Sequence, residues 1–109
     1  MKTLGLTIGA LLAAAALQAQ EPDAKTLYEK NCKMCHGVDG TPSAPMAKMW
    51  PALVPLDAKF MASRPADSVV AVLTHGTKNM KPLKGKLTPE EMAAVAKYVR
   101  EELAKSGSQ

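Results

Sequence analysis

The run Cys32-Lys33-Met34-Cys35-His36 holds both cysteines of the chain and one of its two histidines. Two thiols three positions apart, followed directly by an imidazole, suit three kinds of chemistry. These are a thiol/disulfide redox pair, part of a zinc site, and the covalent attachment of a haem. The rest of the sequence bears on each of them.

A thioredoxin-type redox pair lies at the start of a helix, where the helix N-terminus lowers the pKa of the attacking thiol. Here Ala24, Leu27 and Tyr28 recur at helical spacing before the motif, and Gly37 follows it as a helix stop. The motif is therefore predicted to end a helix, which removes that activation. A simple disulfide between the two cysteines stays open, but it leaves the histidine without a role.

A zinc site needs four ligands in tetrahedral geometry, and the usual soft ligands here are only Cys32, Cys35, His36 and His75. The adjacency of Cys35 and His36 is awkward for a shared ion. Haem uses all three motif residues, since two thiols one helical turn apart can form thioethers with two vinyl groups and His36 can then bind the iron. With no other cysteine in an exported chain, the motif predicts one covalently attached haem c.

The N-terminus is predicted to be a secretory signal, cleaved after residue 19. Lys2 is followed by the apolar run from Leu4 to Leu17 and by a small-residue cleavage site. Retention of this segment as a membrane anchor is the alternative. Cleavage leaves residues 20–109 as a single domain with 13 Lys and Arg against 10 Asp and Glu, a formal net charge of +3. The mature protein is accordingly expected in a bacterial periplasm, without stable membrane insertion and as a monomer.

The mature chain reads as all-α, with about four helices and no strand. A first helix is expected from Pro22 through the motif, followed by an irregular, proline-rich stretch over 38–56. A short helix is expected over 57–63, and another from Pro65 to the stop at Gly76. The last helix begins with a capping box, Thr88 to Glu91, and carries a buried stripe of Met92, Val95, Ala96, Val99 and Leu103. Order is expected over about 23–104, with a frayed C-terminal tail.

This pattern resembles the bacterial class I cytochromes c over essentially the whole mature chain. The resemblance rests on Leu27-Tyr28, the motif with Gly37, a methionine loop at Met80, and Tyr98 on the last helix. It implies a small fold of helices wrapped around one haem, in which the first helix crosses the last one and Tyr98 supplies the aromatic residue of that crossing. Ala24 stands where the family usually has glycine. Lys81 separates Met80 from Pro82, whereas the family usually has proline directly after the ligand.

The resemblance also implies axial ligation of the iron by His36 and Met80. Met80 lies between two helices in a loop bounded by glycine and proline, whereas Met46, Met49 and Met61 remain as alternative ligands. With both axial positions filled, the iron has no open site, so the expected function is one-electron transfer. Two alternatives stay open. One is a haem enzyme or sensor with peroxidase-like or gas-binding activity, for which only His75 and Arg64 offer distal groups. The other is a bound subunit of an oxidase or dehydrogenase.

The partners expected are redox proteins with acidic docking surfaces. Four lysines surround the proposed ligand within nine residues, namely Lys78, Lys81, Lys84 and Lys86. In the family that the chain resembles, the methionine loop borders the haem edge where electrons leave, so these lysines would orient an acidic partner there. A merely solvated loop is the simpler interpretation. Nucleic acid is not expected, because no aromatic residues are interleaved with the lysines.

Overall fold

The computed structural model describes residues 22–65 and 67–107. Helix α1, Ala24–Asn31, begins after Asp23, whose carboxylate accepts a hydrogen bond from the Thr26 N–H at 3.3 Å. The helix therefore starts later than the expected Pro22, because Asp23 takes the N-cap position. The chain bends at Cys32 and continues as α2, Lys33–His36, which ends at Gly37 with φ +84°. The motif thus closes the first helical unit, as expected.

The stretch over 38–56 is not wholly irregular, contrary to the sequence prediction. It contains α3, Ala44–Met49, which is N-capped by Ser43 and has Pro45 in its first turn. Proline is compatible with the first turn of a helix, because the N–H that it lacks has no intrahelical acceptor there. The expected short helix is present as α4, Ala58–Ala62, with Asp57 as its N-cap.

Helix α5, Ser68–His75, begins three residues beyond the expected start at Pro65 and ends at Gly76 as expected. The later start follows from a local turn, because the N–H and the hydroxyl of Ser68 both donate to the Pro65 carbonyl, at 3.1 and 2.8 Å. The loop after α5 folds back on that helix. Its Leu83 N–H donates to the Leu73 carbonyl at 2.8 Å.

Helix α6, Pro89–Tyr98, starts with the predicted capping box: the Glu91 N–H donates to the Thr88 hydroxyl at 3.1 Å, and the Thr88 N–H donates to the Glu91 carboxylate at 2.9 Å. A π-helical turn, Val99–Leu103, and then α7, Ala104–Gly107, continue it. The helical end therefore runs past residue 104. The predicted signal sequence and the last two residues of the chain lie outside the described residues.

The core lies where α1 packs against α6, with α5 beside α6 and α4 beside α7. Tyr28 is almost fully buried, and its ring centre lies 5.6 Å from that of Tyr98 at 50° between planes. This confirms the expected crossing of the first and last helices. The predicted stripe is buried in full, and the core also includes Met61, Leu73 and Leu87.

Helices and loops make up the described part of the chain, apart from one isolated bridge between Lys84 and Leu87. The all-α prediction is confirmed. The four expected helices correspond to the unit formed by α1 and α2, to α4, to α5, and to α6 together with its continuation. Within residues 22–65 and 67–107, no helix is long and apolar enough to cross a membrane.

Candidate functional site

The motif forms a single turn at the end of the first helical unit. The Cys32 carbonyl accepts hydrogen bonds from the N–H groups of both Cys35 and His36, at 3.3 and 3.0 Å. Cys32 is buried, Cys35 is exposed, and neither takes part in a disulfide. Both thiols and the imidazole are thus presented from one turn of backbone.

The electrostatics of this turn do not favour a thiolate nucleophile. Burial raises the pKa of Cys32 to about 11, and the neighbouring Cys35 adds to the rise. A redox-active cysteine needs the opposite shift, toward a lower pKa. Among the described residues, no group of three or more His, Cys, Asp and Glu side chains is arranged to hold a metal ion. The raised pKa of Cys32 therefore argues against a thiol redox pair.

A buried tyrosine holds the end of this turn. The Tyr28 hydroxyl donates to the Gly37 carbonyl at 2.6 Å. Gly37 itself cannot carry a side chain, because its φ is +84° and a Cβ would overlap the Thr41 carbonyl oxygen. The residue after His36 is therefore fixed both by a hydrogen bond and by close backbone packing. Sequence periodicity had placed Tyr28 on the buried face, but it gave no signal for this hydrogen bond.

The imidazole of His36 is half-buried, and its Nδ1 is buried without a hydrogen-bond partner in the described part of the chain. Burial lowers the pKa of this histidine, which favours the neutral ring. A neutral imidazole has one nitrogen lone pair free for a metal. Two thiols one turn apart can form thioethers with the vinyl groups of a haem, and the neutral imidazole beside them can bind its iron, so the residues present fit a covalently attached haem.

Met80 lies in a separate loop whose backbone is held by local hydrogen bonds. Its carbonyl accepts from the Thr77 N–H at 2.8 Å, and its own N–H donates to the Thr77 hydroxyl at 3.1 Å. The side chain is half-buried and packs against the core. In the described residues, no hydrogen bond joins this loop to the motif turn. The structure therefore brings Cys32, Cys35 and His36 together and positions Met80 independently of them.

The other methionines differ in their surroundings. Met34 and Met49 are 82% and 64% exposed, whereas Met61 and Met92 belong to the core. Met46 is half-buried and is the alternative ligand that most resembles Met80 in exposure. Core burial engages Met61 in packing, which is the ordinary role of a methionine.

The remaining candidates lie at the surface. His75 is exposed in the last turn of α5, and the guanidinium of Arg64 stacks 4.8 Å from the centre of the Phe60 ring. A histidine in the last turn of a helix can complement the helix dipole, and an arginine stacked on an aromatic ring makes an ordinary surface contact. All four lysines around Met80 are exposed, and the sequence has no acidic residue over 68–86.

A protein-family profile described as cytochrome c oxidase, cbb3-type, subunit III matches residues 19–99. Among solved structures, the chain is similar to the KustC0563 c-type cytochrome, with 35% identity and a TM-score of 0.67 over 77% of this chain and 99% of that chain. A tyrosine-to-phenylalanine mutant of Kustc0563 is similar at 34% identity and a TM-score of 0.65, covering 73% of this chain and 98% of that chain. A search of curated proteins gave no match.

Proposed function

The chain belongs to the cytochrome c family, and on that basis we propose how its residues hold the haem and pass electrons. Members of this family carry haem c bound covalently, and this protein is accordingly an electron-transfer protein with one haem c and its iron. We propose that Cys32 and Cys35 form the two thioethers and that His36 and Met80 are the axial ligands. When bound, the haem supplies one iron that alternates between the ferrous and ferric states.

The observation that carries this proposal is the geometry of the motif turn. One backbone carbonyl, that of Cys32, accepts from both Cys35 and His36, so the two thiols and the imidazole share one turn. The hydrogen bond from Tyr28 to Gly37 then fixes the chain directly after the histidine. The motif turn is therefore already ordered around His36, so its backbone would lose little conformational freedom on binding the haem.

Met80 is proposed as the distal ligand because its loop is held in place and its side chain is only half-buried. A thioether ligand raises the reduction potential relative to a second histidine. With both axial positions filled, oxygen or peroxide has no open coordination position. This favours a carrier over an enzyme or a gas sensor.

The first test is covalent attachment. After denaturation and acid-acetone extraction, the haem should remain with the exported protein, because thioethers survive this treatment. A Cys32→Ala/Cys35→Ala double variant should lose its haem to the organic phase and contain little folded protein, since the cofactor completes a small core. Extraction of haem from the wild type would contradict thioether attachment.

The second test addresses Met80. The ferric protein should show the weak far-red charge-transfer band between sulfur and iron, and Met80→Ala should abolish it. The variant should also have a lower midpoint potential and bind carbon monoxide when ferrous. Met46→Ala is the matched control and should keep the band. Loss of the band in the Met46 variant alone would assign the ligand to Met46, and ready binding of carbon monoxide by the wild type would favour an enzyme or sensor.

The third test addresses the partner. We propose that Lys78, Lys81, Lys84 and Lys86 steer an acidic redox protein toward the Met80 loop. Electron transfer should then slow as ionic strength rises, since the Debye length shortens from about 30 Å at 0.01 M to about 10 Å at 0.1 M. The double variant Lys81→Glu/Lys84→Glu should slow electron transfer further at an almost unchanged midpoint potential. The control Lys30→Glu/Lys97→Glu, on α1 and α6, changes the net charge equally and should slow electron transfer less. Equal slowing by the two double variants would mean that only net charge matters.

Export to a periplasm is proposed on the N-terminal sequence, in which Lys2 and an apolar run precede a small-residue cleavage site. Edman sequencing of the mature protein should begin at residue 20, and sedimentation should show a monomer. The matching family is described as an oxidase subunit, so function as a bound subunit is the second role to test. Elution of the haem protein from a gentle membrane extract with an oxidase, rather than alone, would favour it.

A further inference from the structure

Gly37, the residue directly after His36, has a carbonyl that accepts two hydrogen bonds. The hydroxyl of Tyr28 donates to it at 2.6 Å, and the N–H of Gly40 donates to it at 3.3 Å. A hydroxyl donor usually lies about 2.7–2.8 Å from its acceptor and an N–H donor about 2.9–3.0 Å, so the first bond is short and the second is long. The phenol is therefore the principal partner of the Gly37 carbonyl.

Tyr28 forms hydrogen bonds at both ends of the motif. Its backbone carbonyl accepts the N–H of Cys32, the first residue of the motif, at 2.8 Å. Its hydroxyl donates to the carbonyl of Gly37, the residue that follows the motif. The tyrosine cannot readily move with the motif, because its side chain is only 1% exposed and its ring packs against that of Tyr98. The motif therefore lies between two hydrogen bonds to one residue that is fixed in the core.

Gly37 depends on such a bond because glycine restrains the backbone less than any other residue does. Its φ is +84°, a value that glycine adopts without steric cost. Its N–H donates to the Lys33 carbonyl at 2.8 Å, which fixes the peptide before it. The peptide after it is held by the Tyr28 hydroxyl and by close packing against the backbone of Thr41. Loss of the hydroxyl would therefore loosen the chain on the C-terminal side of His36.

In the described part of the chain, no hydrogen bond to Nδ1 orients the imidazole of His36, although that atom is buried. A metal-binding histidine usually donates its second ring N–H to a carboxylate or a carbonyl, and that bond fixes the orientation of the ring. Here the orientation of the ring depends instead on the backbone of His36. The residues that border His36 therefore control how its imidazole is presented.

We infer that the Tyr28 hydroxyl is a positioning group for His36, which sets the orientation of the imidazole on the haem iron by anchoring Gly37. This role rests on the proposed function of His36 as an axial ligand, and the hydroxyl acts through the backbone of Gly37. The alternative is that the hydroxyl only pairs with a carbonyl that is buried near the crossing of α1 and α6. In that case a phenylalanine at this position would lower the stability of the protein and leave the iron ligand unchanged.

The first measurement is the proton NMR spectrum of the haem-loaded ferric protein. The unpaired electron shifts the resonances of the haem methyl groups, and the order and spread of these shifts follow the orientation of the axial ligands. In Tyr28→Phe this pattern should differ from the wild type, while the far-red band should show that the sulfur ligand is retained. Two controls should keep the wild-type pattern. Tyr98→Phe removes the hydroxyl from the other ring of the pair, and Thr88→Ala lowers stability through loss of a helix cap.

The second measurement is amide hydrogen exchange in the haem-loaded protein, which tests the anchor itself. The N–H of Gly37 should exchange about fivefold faster in Tyr28→Phe, because a local opening there would lose one hydrogen bond fewer than in the wild type. In Thr88→Ala, which weakens the whole fold, this N–H should exchange at the wild-type rate. In the wild type, the hydroxyl proton of Tyr28 should exchange slowly enough to give a resolved resonance, and this observation needs no variant.

Each measurement has a result that would overturn this role. One is a haem methyl pattern in Tyr28→Phe that matches the wild type, which would leave the hydroxyl with a structural role only. Another is an equal change of that pattern, or an equal rise in Gly37 exchange, in Thr88→Ala, which would make the effect a consequence of lower stability. A third is absence of the hydroxyl resonance from the wild type, which would mean that the hydrogen bond does not persist in the haem-loaded protein. Failure of the proposed function is distinguishable, because a protein without attached haem has no shifted methyl resonances and a protein without the sulfur ligand has no far-red band.

Discussion

Replacement of Gly76 by alanine should displace the loop that carries Met80. Gly76 has φ +72° and ψ −175°, a conformation that is essentially restricted to glycine. A Cβ at this position would lie 2.6 Å from the Met80 carbonyl oxygen and 2.8 Å from the Pro82 nitrogen. Both neighbours are backbone atoms, so the clash cannot be relieved by a change of rotamer. The loop from residue 77 to residue 82 would have to move.

The expected loss of stability has two parts. The unfavourable backbone conformation alone should lower the free energy of unfolding by about 1–3 kcal/mol. Displacement of packed backbone adds about 1–3 kcal/mol, as in other overpacked sites. Gly85 provides the matched control, since its φ is +91° but a Cβ there would meet nothing within 4 Å. Gly85→Ala should therefore show the cost of a positive φ without a clash, and the larger loss expected for Gly76→Ala is attributed to its clash with the Met80 loop.

Urea denaturation of the haem-loaded proteins, followed by circular dichroism of the helices, measures the two losses. In folded Gly76→Ala the far-red band should weaken and ferrous protein should bind carbon monoxide, whereas Gly85→Ala should keep the band. Equal losses of stability in the two variants would refute the clash deduced from the geometry of Gly76. A large loss in Gly76→Ala with the band intact would show instead that this loop does not deliver the sulfur ligand.

Three further predictions concern residues outside the loop. Burial raises the pKa of Tyr28 above its ordinary value of 10.0, so the tyrosine of the unfolded chain ionises at a lower pH than that of the folded protein. The stability that the protonated phenol contributes is therefore complete below about pH 10 and is lost at higher pH. Between about pH 8 and pH 11 the free energy of unfolding should decline less steeply for Tyr28→Phe than for the wild type, and equal slopes would refute this. Thr88→Ala should lower the free energy of unfolding by about 1 kcal/mol through loss of the helix cap, while Thr88→Ser, which retains a hydroxyl, should change it much less. Arg100 donates to the carbonyl of Met61, in the last turn of α4, at 3.3 Å and to the carbonyl of Pro65, in the connection from α4 to α5, at 2.8 Å. Arg100→Met should therefore lower the free energy of unfolding by about 1–2 kcal/mol. Arg64→Met, which removes only an exposed contact with an aromatic ring, should lower it by about 0.5–1 kcal/mol, and equal effects of the two arginine substitutions would contradict this assignment.

The features that sequence predicted well are those encoded over a few neighbouring residues. The capping box at Thr88 and the buried stripe of α6 follow from short-range spacing, and both occur in the structure as expected. The same holds for the short helix capped by Asp57 and for the helix stop at Gly76. In each case one turn of backbone contains both partners of the decisive interaction, so the pattern in the sequence is the interaction itself.

Helix α3 shows where this reasoning gave the wrong result. The density of prolines over 38–56 predicted irregular structure, yet Ser43 caps a helix whose second residue is Pro45. Proline interrupts a helix only when its missing N–H or its ring conflicts with the preceding turn, and neither conflict exists in the first turn. Position relative to a capping serine, not the number of prolines, was the informative signal.

The hydrogen bonds that hold separate segments together could not be read from the sequence, because each depends on how distant parts of the chain meet. The hydrogen bond from Tyr28 to Gly37 spans nine residues, and those from Arg100 to the carbonyls of Met61 and Pro65 span 39 and 35 residues. Neither pair has a local pattern that distinguishes its donor from any other tyrosine or arginine. Periodicity predicts that such a side chain is buried or lies beside the core, and only the fold decides which carbonyl it meets.

The proposed iron ligands also differ in how far the sequence alone determines their positions. Cys32, Cys35 and His36 share one helical turn, so their types and spacing already determine their relative positions before any tertiary contact forms. Met80 is held by Thr77 within its own loop, and that loop reaches the rest of the fold through Leu83 and the α5 carbonyl of Leu73. A loop fastened by a few hydrogen bonds can open locally at a much lower free energy than the whole fold. Loss of the sulfur ligand should therefore precede loss of the helices as denaturant is added, and the far-red band should disappear at a lower urea concentration than the helical signal. Coincident disappearance of the two signals would mean that the Met80 loop and the helical core unfold as one cooperative unit.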